Sequence, residues 1–184
     1  MAWLDFLKNG NELTEWLIEG TNPYGTALLK QTDVDLLRNH LSGEERVQAY
    51  VLGRVALAGR GLWLLTDRSL LISESDTDGR VHTVRLQDIS QAECLKGKYG
   101  YTLRIQSAGQ QRSVYGASAP FATVFYRALA AKAPCAPVHK PSPLHADDAA
   151  EVVRHVGDAA LRLQPMSLLD SQTLAQIALN AQVA

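Results

Sequence analysis

The 184-residue chain has only two cysteines, Cys94 and Cys135, and neither belongs to a Cys-x-x-Cys pair. Two thiols by themselves do not make a metal cage. Cys94 lies in a strand-like run and reads as a small core or face residue. Cys135 stands between Pro134 and Pro137 in a linker. A cytosolic chain is not expected to join them. Long apolar runs are also missing. Stretches such as Leu62–Leu65 and Ala128–Ala131 last a few residues, whereas a membrane-spanning helix needs about 20. Met1–Gly10 carries Asp5 inside its apolar part and no basic leader, so no secretory signal is expected. Net charge is only −1, which removes any global pull toward nucleic acid or an anionic membrane. The expectation is a cytoplasmic protein without an integral membrane segment.

What charge there is divides the chain unevenly. Residues 1–43 hold three basic against six acidic side chains, residues 44–132 twelve against eight, and residues 133–184 three against five. A mildly basic centre is flanked by acidic arms that are free to pack on it.

The first arm has helical periodicity. Trp3, Phe6, Leu7, Leu13, Trp16 and Leu17 recur at helical spacing with a break near Asn9-Gly10-Asn11, and Gly20-Thr21-Asn22-Pro23 stops the pattern. A second helix is predicted from Asp33 to about Leu41, capped by Thr32 or Asp33, with Val34, Leu37 and Leu41 as its apolar stripe.

From Glu44 the period becomes two. Val47, Ala49, Val51 and Gly53 alternate with Arg46, Gln48, Tyr50 and Leu52. Strands follow at 62–66, 69–75, 81–86, 90–96, 101–106 and 112–115, separated by turn residues. Asp76-Thr77-Asp78-Gly79 is the strongest hairpin signal, because Gly accepts the positive φ such turns require. Seven short strands then give way to a helix. Ser118 suits its N-cap, Pro120 its first turn, and Phe121, Val124, Phe125, Ala128 and Leu129 share one face. Seven strands and one amphipathic helix suggest a barrel whose open end the helix covers. Prolines at 134, 137, 141 and 143 bracket a stiff linker. Two more helices are predicted, over 146–163 and 167–182. The first has Ala149, Val152, Val153, Val156, Ala160 and Leu163 as its stripe, the second Leu168, Leu169, Leu174, Ile177 and Ala181.

Three stretches resemble the bacterial pleckstrin-homology-like (PH-like) domains. Ser42-Gly43-Glu44-Glu45 leads into the first strand. Gly61-Leu62-Trp63-Leu64-Leu65-Thr66-Asp67-Arg68-Ser69-Leu70-Leu71-Ile72 is similar to the family's strand, Thr-Asp-Arg turn and apolar strand. Leu86-Gln87-Asp88-Ile89-Ser90-Gln91-Ala92 is similar to its I-x-x-I-x-x-V segment. The resemblance covers residues 44–132, about half of the chain. It implies an α+β fold: a seven-stranded antiparallel β-barrel capped by a C-terminal helix. Around it stand an N-terminal helical extension (1–43), a Pro-rich linker (133–145) and a C-terminal helical extension (146–184). In the Thr-Asp-Arg turn, Asp67 is expected to bond its own downstream backbone.

No catalytic set, cofactor motif or metal-ligand spacing is visible. His40, His82, His139, His145 and His155 are scattered, and Glu151-x-x-x-His155 reads as a solvated helix face. Asp147-Asp148 suits the start of a helix. The glycines around Arg54 and Arg60 fit hairpin turns rather than a phosphate loop. The sharpest ligand candidate is a basic barrel rim of Arg54, Arg60, Lys96, Lys98 and Arg104. Phosphoinositide-binding PH domains place basic residues on the first strand pair, but here Val55-Ala56-Leu57-Ala58 separates Arg54 from Arg60, so a solvated rim outweighs a lipid-headgroup site. Lys96-Gly97-Lys98-Tyr99-Gly100-Tyr101 mixes cations and aromatics. It lacks the charge and stacking platform that RNA binding needs, so no nucleic-acid partner is expected. Trp3, Phe6 and Trp16 form the candidate protein interface, for packing on the barrel or for contact with a partner or a second copy. The expected function is non-enzymatic: a protein-interaction or scaffolding module whose arms pack or self-associate. The alternative is a peripheral membrane module that binds anionic lipid headgroups.

Overall fold

The computed structural model describes residues 29–55, 59–74, 80–134, 136–137, 143–164 and 171–182. Helix α1 (Gln31–Arg38) precedes strands β1 (Val47–Val55), β2 (Gly59–Thr66), β3 (Ser69–Glu74) and β4 (Val81–Arg85). A 3-10 turn at Leu86–Asp88 leads into β5 (Ile89–Gly97), β6 (Gly100–Ser107) and β7 (Gln110–Ala117). Helix α2 (Ala119–Lys132), a two-residue strand β8 (Ala136–Pro137), α3 (Ala146–Leu163) and α4 (Ser171–Gln182) complete the described elements.

The fold is α+β, with β1 to β7 joined by antiparallel ladders in the order β4-β3-β2-β1-β7-β6-β5. β1 to β4 and β5 to β7 are two halves of one sheet, which β8 extends beyond β5. A single register point, Arg54 opposite Tyr115, joins β1 to β7. That junction needs a glycine: a Cβ on Gly53 would lie 2.5 Å from the Tyr115 carbonyl oxygen and 2.6 Å from Val114 Cγ2. Across the halves, Arg112 Nη1 lies 3.6 Å from Glu74 Oε2. The expected barrel is not closed. β4 and β5 stand at opposite ends of the strand order and do not pair among the described residues. The turn at Leu86–Asp88 swings the chain around a corner instead of continuing the ladder, leaving a seam.

Opposed residues in an antiparallel ladder point to the same face. The row Val51–Trp63–Ile72 therefore faces one way and Tyr50–Leu64–Leu71 the other. All six are buried. Trp63 packs on Phe125 of α2, with ring centroids 6.2 Å apart. Tyr50 meets Phe121 of α2 at 5.2 Å. On the Tyr50 side lie Asp158 and Arg162 of α3; burial, with Asp158 adding and Arg162 opposing, pushes the Tyr50 phenol up. Helix α2 also packs on β5 and β6. The predicted face Phe121, Val124, Phe125, Ala128 and Leu129 is wholly buried. The period-two pattern of β1 thus conceals a strand covered on both sides.

The arms lie on the sheet. α3 contacts β1, α1 and α2, and α4 contacts α3, α2 and β1. The α3 stripe is buried at Ala149, Val152, Val156, Ala160 and Leu163. A polar latch fixes this arm. The buried Gln164 accepts the Val47 N–H at 2.9 Å and donates to the Glu45 carbonyl at 2.9 Å. Arg162 donates to the Leu29 carbonyl at 3.0 Å and to Gln31 Oε1 at 3.1 Å. The α3 terminus therefore ties α1 to the start of β1.

Three local expectations need correction. The N-cap of α1 is Lys30, not Thr32 or Asp33. Asp33 instead reaches back from the first turn to accept the Lys30 N–H at 2.8 Å. Asp67 accepts the Arg46 N–H at 2.9 Å rather than its own downstream backbone. The turn is held by Thr66, whose Oγ1 accepts from Arg68 N–H at 3.2 Å and Ser69 N–H at 2.8 Å. Ser118 is the N-cap of α2, but its hydroxyl makes no capping bond and is buried without a partner.

Candidate functional site: the open seam and its cations

The five rim residues occupy separate places. Arg54 stands opposite Arg60 in the β1–β2 ladder, and Arg60 is ion-paired with Asp33 of α1. Arg104 stands opposite Glu93 in the β5–β6 ladder and binds it at 3.1 Å. Lys96 and Lys98 are exposed at the β5–β6 hairpin, with Lys98 Nζ 5.1 Å from the Tyr99 ring centroid. Arg60 and Arg104 are thus engaged by carboxylates that the chain folds beside them. Trp3, Phe6 and Trp16 lie outside the described residues, as do the hairpin at 76–79, Cys135 and His139.

Glu151 and His155 do not form the expected solvated face. His155 is only 9% exposed. Its Nε2 lies 3.0 Å from Glu151 Oε1, and its ring meets Phe121 at 5.8 Å. Helix α3 turns that side toward α2, which a one-helix reading does not reveal. Glu151 is also ion-paired with Arg154, whose hydrogen bond leads the downward shift of the Glu151 carboxyl. No cluster of three metal-ligating side chains occurs among the described residues.

The seam offers more. Beside it, a cleft of about 440 Å³ is lined by Asp67, Arg68, Thr83, Arg85, Gln87 and Lys132, among others. Arg68 binds Glu44 at 2.9 Å and Arg85 binds Asp88 at 2.9 Å, so these charges are largely balanced. On its β6 side β5 is laddered without a break from Gln91 to Gly97, after a register shift between Ile89 and Gln91. On its other side it pairs, in parallel, only with β8: Gln91 opposite Ala136 and Ala92 opposite Pro137. Beyond Ala92, no second partner for β5 occurs among the described residues. The backbone donors and acceptors of an edge strand are a template for another strand.

Arg127 lies on α2. It is half-buried, its Nη1 is shielded from solvent without a hydrogen-bond partner, and burial lowers its pKa. Its charge neighbour is Cys94 of β5. The Cys94 thiol is itself pushed up to about 12 by burial, with Arg127 opposing, and lies 4.0 Å from the Ala122 carbonyl. Cys94 is therefore a core thiol with little nucleophilic character at neutral pH. Sequence reasoning passed over Arg127, although a signal existed: it is the one charged residue in the stretch 119–131. The apolar concavity between α3 and α4, about 400 Å³ and lined by Leu144, Ala149, Val153, Ala178 and Ala181 among others, contains no group for chemistry.

No family model matches the chain, and no curated protein matches it. No helix among the described residues is long and apolar enough to cross a membrane.

Proposed function

We propose that the chain is a non-enzymatic, cytoplasmic protein-interaction module built on a PH-like domain at residues 44–132. The strand order supports the PH-like part. Seven strands in one antiparallel order are followed by a helix that packs on β1, β5 and β6. The observation that carries the interaction reading is the β5 edge, whose backbone beyond Ala92 faces no second strand among the described residues. Main-chain pairing at such an edge supplies affinity for an extended segment, and side-chain pockets supply choice.

Headgroup binding is the weaker reading, because Arg60 and Arg104 already face Asp33 and Glu93. Trp3, Phe6 and Trp16 are proposed as a second contact, with another copy of the chain. Panning a display library of extended peptides against the full chain tests the main reading. The expected outcome is peptides that bind and slow hydrogen exchange in β5. Headgroup-selective sedimentation with phosphoinositide vesicles, without peptide binding, would replace it with the lipid reading.

A further inference from the structure

We infer that α1 and α3 form one conditional cover on the Tyr50 side of β1, with α1 seated through α3, so that whatever lifts α3 releases α1 as well. Alone, α1 is too short to persist. It has eight residues, and isolated helices shorter than about 12–15 residues are marginal in water. Its Val34 and Leu37 are fully buried all the same, so its order comes from its neighbours. Among the described elements, the one it packs against most is α3.

The polar ties point the same way. Arg162, in the last turn of α3, donates to the Leu29 carbonyl and to Gln31 Oε1. Arg38, in the last turn of α1, donates back to the Arg162 carbonyl. That carbonyl lies where intrahelical partners run out and where a cation is favoured. Each helix thus lends an arginine to the other. α3 also holds the rest of the fold without α1: it packs on β1, its neighbour Gln164 binds the Val47 N–H and the Glu45 carbonyl, and His155 meets Phe121 of α2. The coupling between two docked helices is the same in both directions, but α3 has these other contacts to keep it in place. A tie from α1 that bypasses α3 is the ion pair of Asp33 with Arg60 of β2. Arg60 shares a strand face with Leu62 and Leu64, and Leu64 stands opposite Tyr50, so both helices lie over one apolar surface. Loss of α1 alone leaves that surface under α3. Removal of α3 bares Tyr50 and Leu64 and undoes α1 in the same step.

Amide exchange of the full chain, compared between α1 and α3, tests the inference with three variants. R162Q keeps the apolar stripe of α3 and cuts its ties to Leu29 and Gln31. It should speed exchange in α1 about 10-fold or more, the scale of losing charge-assisted hydrogen bonds, and leave α3 nearly unchanged. R60Q cuts the tie to β2 and should speed α1 less than R162Q does. V156D places a charge in the fully buried stripe of α3 and drives that helix off the sheet. In a V156D chain whose β5–β7 strands remain protected, α1 should exchange like an unstructured peptide. If V156D does not fold, R162Q and R60Q decide the matter. Unchanged α1 exchange in R162Q, a larger effect of R60Q than of R162Q, or an α1 that stays protected in V156D while α3 does not, would each seat α1 on the strands and overturn the inference.

Discussion

β1 lies in the middle of the strand order and β5 near its end, and the two are buried very differently. β1 is buried on both faces along nearly all of its length, with α2, α3 and α4 packed against it. β5 alternates: Ile89, Ala92 and Cys94 are buried, while Ser90, Gln91, Lys96 and Gly97 are exposed. The β1–β4 half is thus enclosed by the arms and tied to them by the Gln164 latch. The β5 strand keeps one partly polar face. Location in the sheet, more than residue type, divides structural from available surface: both strands contain a basic residue near one end, but Arg54 on β1 sits beside the arm-paired Arg60 and Lys96 on β5 is exposed.

The largest expected effect comes from breaking the enclosed side. Phe125 is fully buried against Trp63, so Phe125→Ala should cost about 3–5 kcal/mol of stability in denaturant unfolding. An unchanged midpoint would mean that the core under α2 is arranged differently. A smaller loss tests the latch. Gln164→Ala removes the partners of the Val47 N–H and the Glu45 carbonyl, and should cost about 1–3 kcal/mol, the usual range for leaving such groups unmatched in the interior. A loss near zero would detach α3 from the account of how β1 is enclosed. The smallest effect belongs to the β5–β7 half. A double-mutant cycle on Glu93→Gln and Arg104→Gln should return a coupling of about 0–1 kcal/mol, because both side chains remain partly in solvent. A coupling well above the Gln164 loss would reverse the contrast between the two halves of the sheet.

Much of the strand and helix pattern was legible because each element announces its own period. The 146–163 helix and the buried face of α2 follow from spacing alone, and turns with Gly separate the strands. What was not legible depends on packing between elements. Period two in β1 suggests one wet face, yet Tyr50 and Leu52 are covered by helices far away in sequence. Glu151 and His155 look like a solvated pair until α2 is laid beside them. The short turn at Gln87-Asp88-Ile89 is legible in the sequence and is present as the 3-10 turn at Leu86–Asp88, but whether the strands on its two sides pair is not, because pairing depends on where the rest of the sheet places them. As for the site, Lys96 and Lys98 were found by their charge, but Arg60 and Arg104 were grouped with them because sequence cannot show that Asp33 and Glu93 reach them. Arg127 was missed because an isolated charge in an apolar helix gives no hint of which strand it meets.

The contrast between the two halves of the sheet is tested most directly by native-state hydrogen exchange of the full chain, read amide by amide. The account predicts that β1 and β2 exchange only through global unfolding, whereas the amides of Glu93–Lys96 that do not face β6 exchange through local opening, faster by orders of magnitude. Protection of those β5 amides equal to that of β1 would contradict it, since the edge would then already be covered.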